Sequence, residues 1–574
     1  MTLFEGCLKP NRNVTLLAAV CLSFIVWPSP PAAASDRQVD TGYSHQTAYV
    51  LPDEDLNRLQ DLFRRTLEAI RGEFPGQTGT VRAFQPGSGY IQMWVRDAAT
   101  QIPWTRYNYS RDYLTNWLVE ILSYQKEDGG VYDWIAPGPP EKYLIWAPHA
   151  QAVYGQSLTA DKNTMMADQE ASAVDAAYQV TMAIGDRAWL ARPIKDKTLL
   201  ERLDLSMEYV LKKRFDAGHG LVTSGFSASW GDVSPKEREQ RTIYLTDQTP
   251  LVASLYENAF FYQAAVELAA IHQTLRETAQ TEHWTQVAAG LKENINKYLW
   301  RKDRGFYKTH LLLTPALAKG FPDDSDMFDM PGNAAAALYG IADDLQARRV
   351  FEVARERQRQ YGMPTIAGVL LPSYPKGFFP HPCCNEEYKY INGGLWDWFS
   401  GRLLQAEFER GYSGRAYQQL IEVARQAVKD DGLYEWYSKD GKGKGSPNYG
   451  DNAGTLASAI FQGLFGVDWG GGTLNLRIRL GARPGKIHLY QPTTDSYVAC
   501  QYAFDKARGT VRIDYQSNIG GYGKVSLLLP ERRQVEKLLL DGTEKPFTIE
   551  QQGEDVYVST STDWKPHELK AILK

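Results

Sequence analysis

A chain of 574 residues exceeds one ordinary domain, so two domains are the starting expectation. With 43 % hydrophobic and 23 % charged residues it has the make-up of a globular protein with a sizeable core. A net charge of −5 without a basic block argues against nucleic acid or an anionic membrane surface as partner. Aromatic content is 12 %, with 15 Trp and 33 Tyr, enough for large aromatic cores or for platforms on which sugar rings stack.

Residues 1–35 read as a secretory signal: Lys9 and Arg12 precede an apolar run over 14–27, Pro28 and Pro30 end it, and Ala32-Ala33-Ala34 offers small residues for cleavage. The run falls short of the roughly 20 apolar residues of a membrane span, so export to a periplasm or beyond is expected, with no stable membrane partner. Cys7 and Cys21 would leave with the signal. Cys383, Cys384 and Cys500 remain, and a bridge from Cys500 to one of the vicinal pair is one arrangement. No Cys/His spacing has the zinc pattern, and neither metal nor cofactor is expected.

After the signal, Pro52-Asp53-Glu54-Asp55 opens a helix capped by Asp53, continued by Leu56, Leu59, Leu62, Phe63, Leu67 and Ile70 at helical spacing. Helical patterns follow near 97–107, 111–125, 168–184, 198–213, 249–273, 282–300, 333–341, 343–360, 390–410, 414–429 and 452–465, several joined by Gly-containing turns. Period-two alternation then dominates, over 473–480, 486–490, 510–515, 524–529 and 555–559. The expected division is a helical domain over 36–468 and an all-β domain over 469–574. Sequential helical hairpins fit a toroid of six inner and six outer helices, with function on the loops along one face.

Five loop stretches concentrate polar and aromatic side chains. In Gly89-Tyr-Ile-Gln-Met-Trp94-Val-Arg96-Asp97, an Arg-Asp pair beside Trp can hold two vicinal hydroxyls by charge-assisted bonds, or else lock a helix entrance as a buried ion pair. Asp168-Gln169-Glu170 stands at a helix start, where acidic residues also suit the dipole; Trp134 lies in the aromatic loop before it. Trp230-Gly231-Asp232, with Phe226 and Val233 nearby, offers a carboxyl in the apolar surroundings a general acid needs, though a turn before Ser234-Pro235 needs an Asp equally well. Asn258, inside the next helix, is a costly polar residue without a hydrogen-bonding task. Asn385–Trp398, with Glu386, Glu387, Asn392 and Trp396, is the fourth stretch. Glu435 between Tyr434 and Trp436 is the fifth.

In this order the motifs resemble those of the six-hairpin glycosidases, the group holding trehalases, glucoamylases, α-L-rhamnosidases and glycoside hydrolase family 63. Trp94-Val-Arg-Asp97 is similar to their Trp-x-Arg-Asp sugar-binding motif, and its surroundings to those of family 125 mannosidases. Trp230-Gly-Asp232 looks like the general-acid loop of family 63-like enzymes, Leu255–Tyr262 like their Asn-Ala-aromatic helix, and Asn392-Gly-Gly-Leu-Trp396 like a Gly-Pro-Ile-Trp segment lacking its Pro. Gly432-Leu-Tyr-Glu435 resembles the late base motif, although the segment that follows it departs from the pattern; the β tail resembles the C-terminal sandwich of rhamnosidases. The resemblance implies inverting hydrolysis of a glycosidic bond, with Asp232 as acid and Glu435, or alternatively Glu386 or Glu387, as base. It places Trp94, Arg96, Asp97, Trp134, Asp168, Gln169, Glu170, Trp230, Asn258, Glu387, Asn392, Trp396 and Trp436 around an oligosaccharide or glycoside. A phosphorylase of the same fold and a non-catalytic carbohydrate-binding protein are the competing readings.

Overall fold

The computed structural model describes residues 39, 44–145, 147–231, 233–235 and 244–574. The expected signal segment 1–35 and Asp232 therefore lie outside the described residues. Twelve α-helices are described: α1 Glu54–Ala69, α2 Val95–Thr105, α3 Arg111–Ser123, α4 Gln169–Ile184, α5 Leu199–Lys213, α6 Leu255–Leu275, α7 Thr278–Tyr298, α8 Met330–Leu338, α9 Asp344–Gln360, α10 Asp397–Glu409, α11 Ser413–Lys429 and α12 Gly450–Ser458.

The even-numbered helices close a ring. α2 packs on α4, α4 on α6, α6 on α8, α8 on α10, α10 on α12, and α12 returns to α2. The odd-numbered helices lie outside, giving the (α/α)6 toroid. Composition sorts the two layers: outer α9 buries only one face, through Ala347, Val350, Phe351, Val353, Ala354 and Arg357. Inner α4 and α8 are buried on nearly all sides and are rich in alanine, including Ala334–Ala337, which lets neighbouring helices approach closely. The Asp53 cap forms as expected, its Oδ1 accepting from Asp55 N–H at 3.0 Å and Leu56 N–H at 3.3 Å.

A structural repeat that no fixed sequence period announces joins the layers. An outer helix leads into a tight turn or hairpin, and a side chain in the first turn of the next inner helix holds that hairpin's backbone. Val131 N–H donates to Glu170 Oε1 (2.8 Å), Val222 N–H to Asn258 Oδ1 (2.8 Å) and Tyr307 N–H to Asn333 Oδ1 (2.9 Å). The two asparagines also donate through Nδ2 to the carbonyls of Val222 and Tyr307, both at 2.9 Å. Buried backbone groups at each hairpin are thereby satisfied by one side chain.

Strands are more numerous than expected before residue 470. Arg71–Gly76 pairs with Gly79–Phe84, and Met93–Trp94, Trp134–Pro137, Leu158–Asp161 and Gln151–Tyr154 form a sheet beside the ring's mouth. The helix expected from 249 starts at 255, because Leu251–Ser254 pairs with Ser224–Gly225 and His310–Leu312. The one expected from 390 starts at 397, after a loop.

The C-terminal region forms a seven-stranded and a five-stranded sheet. Buried residues alternate on both, as in Leu474, Leu476 and Ile478 or Val511, Ile513 and Tyr515, and Tyr515 Oη donates to Thr562 Oγ1 (2.9 Å) from one sheet to the other. One edge strand, Ala48–Val50, comes from ahead of the toroid and pairs with Lys486–His488. Arg106 Nη2 donates to Gln491 Oε1 (2.8 Å) where the two parts meet. Cys500 is buried in this sheet, opposite Ile487 and Tyr515, and no bridge joins it to Cys383 or Cys384. Among the described residues, no helix is long and apolar enough to cross a membrane.

Candidate active site

The inner helices α2, α4, α6, α10 and α12 present their first turns toward the loops singled out by sequence. Glu435 stands just before the short strand Trp436–Tyr437, which pairs with Gly443–Lys444. Both oxygens of its carboxylate are held: Tyr90 Oη donates to Oε1 (3.0 Å) and Ser446 N–H donates to Oε2 (3.0 Å). The segment carrying Tyr90 docks on the one carrying Ser446, with Gly89 N–H to Ser446 Oγ at 2.8 Å and Ser88 N–H to the Pro447 carbonyl at 3.1 Å. A Cβ on Gly87 would stand 2.5 Å from Ser446 Oγ, so any larger residue there would displace that hydroxyl. Glu435 is 5 % exposed.

In the loop before α6, Ser227 Oγ donates to the Val233 carbonyl (3.0 Å) and Gly231 N–H to the Ala228 carbonyl (3.0 Å). These bonds close a tight turn around Trp230; a Cβ on Gly231 would stand 2.5 Å from Ile391 Cδ1. The Trp230 ring lies 4.4 Å from that of Phe399 and edge-on to that of Trp396 at 5.1 Å. Trp396 in turn packs on Tyr390 (5.2 Å), and Tyr390 on Trp436 (6.1 Å). A continuous aromatic wall thus links the turn before position 232 to the residue after Glu435. Trp94 and Trp436 are half-buried, whereas Trp134, Trp230 and Trp396 are buried.

The acidic residues of the first turns are tied into one another. Arg96 grips Asp168 with two bonds, Nε–Oδ2 at 2.5 Å and Nη2–Oδ1 at 3.1 Å. Asp168 thus holds the guanidinium and makes no side-chain cap on α4. Asp97 accepts from Tyr449 Oη (3.2 Å) and shares a hydrogen bond with Asp451, which also accepts from Gln101 Nε2 (2.9 Å). Burial, then the neighbouring Asp451 charge, pushes the Asp97 carboxyl well above the usual range, and burial raises Asp451 too. The Arg-Asp motif is therefore anchored from behind, Arg96 by Asp168 and Asp97 by Tyr449 and Asp451.

Several of the expected substrate contacts hold buried groups of the scaffold. Asn258 is fully buried, with Oδ1 on Val222 N–H and Nδ2 on the Val222 and Ser254 carbonyls, so its amide answers to backbone. Asn392 is likewise buried, its Oδ1 accepting from Tyr374 N–H (2.8 Å) and its Nδ2 donating to the Tyr374, Cys384 and Glu386 carbonyls. Gln169 and Glu170 are buried around Lys162, whose Nζ donates to Gln169 Oε1 (2.9 Å) and Glu170 Oε1 (2.6 Å). In each case the side chain satisfies a buried group. Glu386 pairs with Lys376 (2.8 Å), and Glu387 is exposed.

Tyr90, Ser446, Tyr449 and Asp451 were not singled out by sequence, nor was Glu257. Glu257 Oε1 accepts from Ala167 N–H (3.0 Å) beside Asp168, and burial lifts its carboxyl to about 8. One signal was available: Asp97-Ala98, Asn258-Ala259, Asn333-Ala334 and Asn452-Ala453 repeat an Asp/Asn-Ala step in the first turn of four inner helices. Among the described residues no group of three or more His, Cys, Asp or Glu is arranged to hold a metal ion.

A six-hairpin toroid with carboxylates and an aromatic wall above its inner ring defines a glycoside hydrolase architecture. Residues 90–450 match the mannosylglycerate hydrolase MGH1-like glycoside hydrolase domain, more than half of the chain, and the chain belongs to that family. Its fold is similar to that of an α-L-rhamnosidase from Dictyoglumus thermophilum, with a TM-score of 0.62 at 13 % identity, covering 92 % of this chain and 50 % of that one. A family 78 rhamnosidase of a Bacillus species gives 0.54 at 15 %, covering 85 % and 43 %. The family 63 mannosylglycerate hydrolase of Thermus thermophilus, in complex with glucose, gives 0.50 at 15 %, covering 70 % and 100 %. The chain thus spans about half the length of the rhamnosidases it matches. No curated protein matches it in sequence.

Proposed function

We propose that the chain is an exported glycoside hydrolase that removes a terminal α-linked sugar with inversion of configuration. The observation that carries this reading is the Glu435 carboxylate, held on both oxygens and joined by an aromatic wall to the Trp230 turn. Glu435 acts as the base, taking a proton from a water that attacks the anomeric carbon. Asp232 gives its proton to the glycosidic oxygen of the leaving group. The water's remaining hydroxyl forms the new bond to the anomeric carbon as the old C–O bond breaks, and inversion follows from attack opposite the leaving group. Two carboxyls in these roles stand roughly 6.5–9.5 Å apart, leaving room for the water. Trp94 and Trp436 face the sugar, and Asp97, fixed by Tyr449 and Asp451, receives its hydroxyls. Glu386 and Glu387 are weaker candidates for the base, one paired with a surface lysine and the other exposed.

The test is a screen of the purified protein on aryl and natural α-glycosides, rhamnosides and mannosylglycerate included, with NMR of the first product's anomer. An inverted product is expected, and a retained one overturns the water-in-between mechanism. Asp232→Asn and Glu435→Gln are each expected to abolish turnover in a folded protein; near-normal activity in either removes that residue from its role.

A further inference from the structure

Cys383 and Cys384 lie in the loop between the strand Leu370–Leu371 and α10, with their sulfurs 3.2 Å apart. Cys384 is buried and Cys383 only partly so. Hydrogen bonds pin the turn: Cys383 N–H donates to His381 Nδ1 and Cys384 N–H to the His381 carbonyl, both at 3.2 Å. The Cys384 carbonyl accepts from Asn392 Nδ2 (3.3 Å), the same amide that holds both backbone groups of Tyr374. The Tyr374 ring stacks on Phe378 (4.6 Å), and both lie against Phe226, at the start of the Trp230 turn.

We propose that Cys383 and Cys384 form a redox modification site that alternates between two thiols and a vicinal disulfide, with a low-molecular-weight disulfide as oxidant. The Cys383 thiolate attacks one sulfur of the oxidant, and its partner sulfur leaves as a thiolate that takes up a proton. The Cys384 thiolate then attacks the Cys383 sulfur and expels the second small thiol. The protein loses two protons and two electrons, and one small disulfide becomes two thiols. Sulfurs already in contact need little loop movement for the second step. Adjacent Cα atoms across a trans peptide are ~3.8 Å apart, closer than the roughly 4.4–6.8 Å of ordinary disulfides. The bridge is therefore strained, and strained disulfides are the readily reduced, reversible ones. Cys500 takes no part, being buried in the C-terminal sheet.

The experiment equilibrates the full chain in glutathione buffers of increasing oxidised fraction, quenches with acid, alkylates under denaturing conditions and digests with trypsin. The fragment 377–389 carries both cysteines. It is expected to lose two hydrogens and its alkyl groups as the oxidised fraction rises, and to recover both alkyl groups after dithiothreitol, while Cys500 stays alkylated throughout. In Cys384→Ser the reaction is expected to stop with glutathione held on Cys383. A fragment doubly alkylated at every ratio, or one in which wild-type Cys383 accumulates glutathione without closing the ring, overturns the proposal.

Discussion

The phenol of Tyr90 donates to Glu435 Oε1 at 3.0 Å across 345 residues of chain, and so ties the first loop of the toroid to the last. With Ser446 N–H on the other oxygen, it fixes the direction in which the carboxylate meets water. A hydrogen bond to a charged group contributes about 1.5–3 kcal/mol. Tyr90→Phe is therefore expected to lower kcat by roughly tenfold or more. A donor to the ionised form also favours that form, so its removal is expected to move the acid limb of the pH–rate profile to higher pH. A profile that keeps its shape and midpoint would assign Tyr90 a packing role alone.

Arg96 and Asp168 form a nearly dry ion pair, with side chains 11 % and 0 % exposed. Removing one partner from such a pair leaves an uncompensated buried charge and costs about 3–5 kcal/mol. Asp168→Asn is expected to destabilise the fold on that scale, as measured by denaturant unfolding. A loss below about 1 kcal/mol would show that water reaches the guanidinium.

Asn258 makes two hydrogen bonds to the Val222 backbone of one hairpin and a third to the Ser254 carbonyl at the start of its own helix. Asn258→Ala leaves Val222 N–H and its carbonyl buried without partners, at about 1–3 kcal/mol for each unsatisfied group. A clear drop in melting temperature is expected, with KM near wild type for the protein that remains folded. A raised KM at unchanged stability would return Asn258 to the substrate.

The toroid core stores protons. Burial lifts the carboxyls of Asp397 and Asp329 to about 7 and those of Glu257 and Glu407 to about 8. Each binds its proton more tightly folded than unfolded, so its contribution is complete below the unfolded carboxylate range near pH 4. That contribution is lost as pH rises from there through the folded values near 7 to 8. Thermal stability is expected to fall across that window and then level off. Asp397→Asn keeps the shape and removes the titration, so its curve should be flatter; an identical slope would exclude Asp397 as a contributor.

Gly231 is crowded, since an added Cβ would stand 2.5 Å from Ile391 Cδ1, the movable end of a side chain, and 3.0 Å from the Ala228 carbonyl oxygen. Gly231→Ala is expected to cost about 1–3 kcal/mol through overpacking and to lower turnover by shifting the neighbouring position 232. Wild-type turnover in a destabilised protein would separate the turn from the chemistry.

The sequence by itself determined the layers and the class of site. Helical period, turn glycines and the change to period two near residue 470 are local properties, each carried by a few consecutive side chains, and they place α1, α5, α9 and α11 within a few residues of their observed ends. The order of the Trp94, Trp230 and Glu435 motifs is likewise written along the chain. Tertiary structure decided what each polar residue does. Asn258, Asn392 and Glu170 differ from Glu435 in partners that lie elsewhere in the sequence, and local pattern does not encode whether a buried amide meets backbone or ligand. The two-residue strands escaped for the same reason, being too short for a period and existing only through their pairing. The edge strand Ala48–Val50 crosses to the C-terminal sheet because an unpaired sheet edge there accepts it, a choice that no stretch of sequence near residue 48 announces.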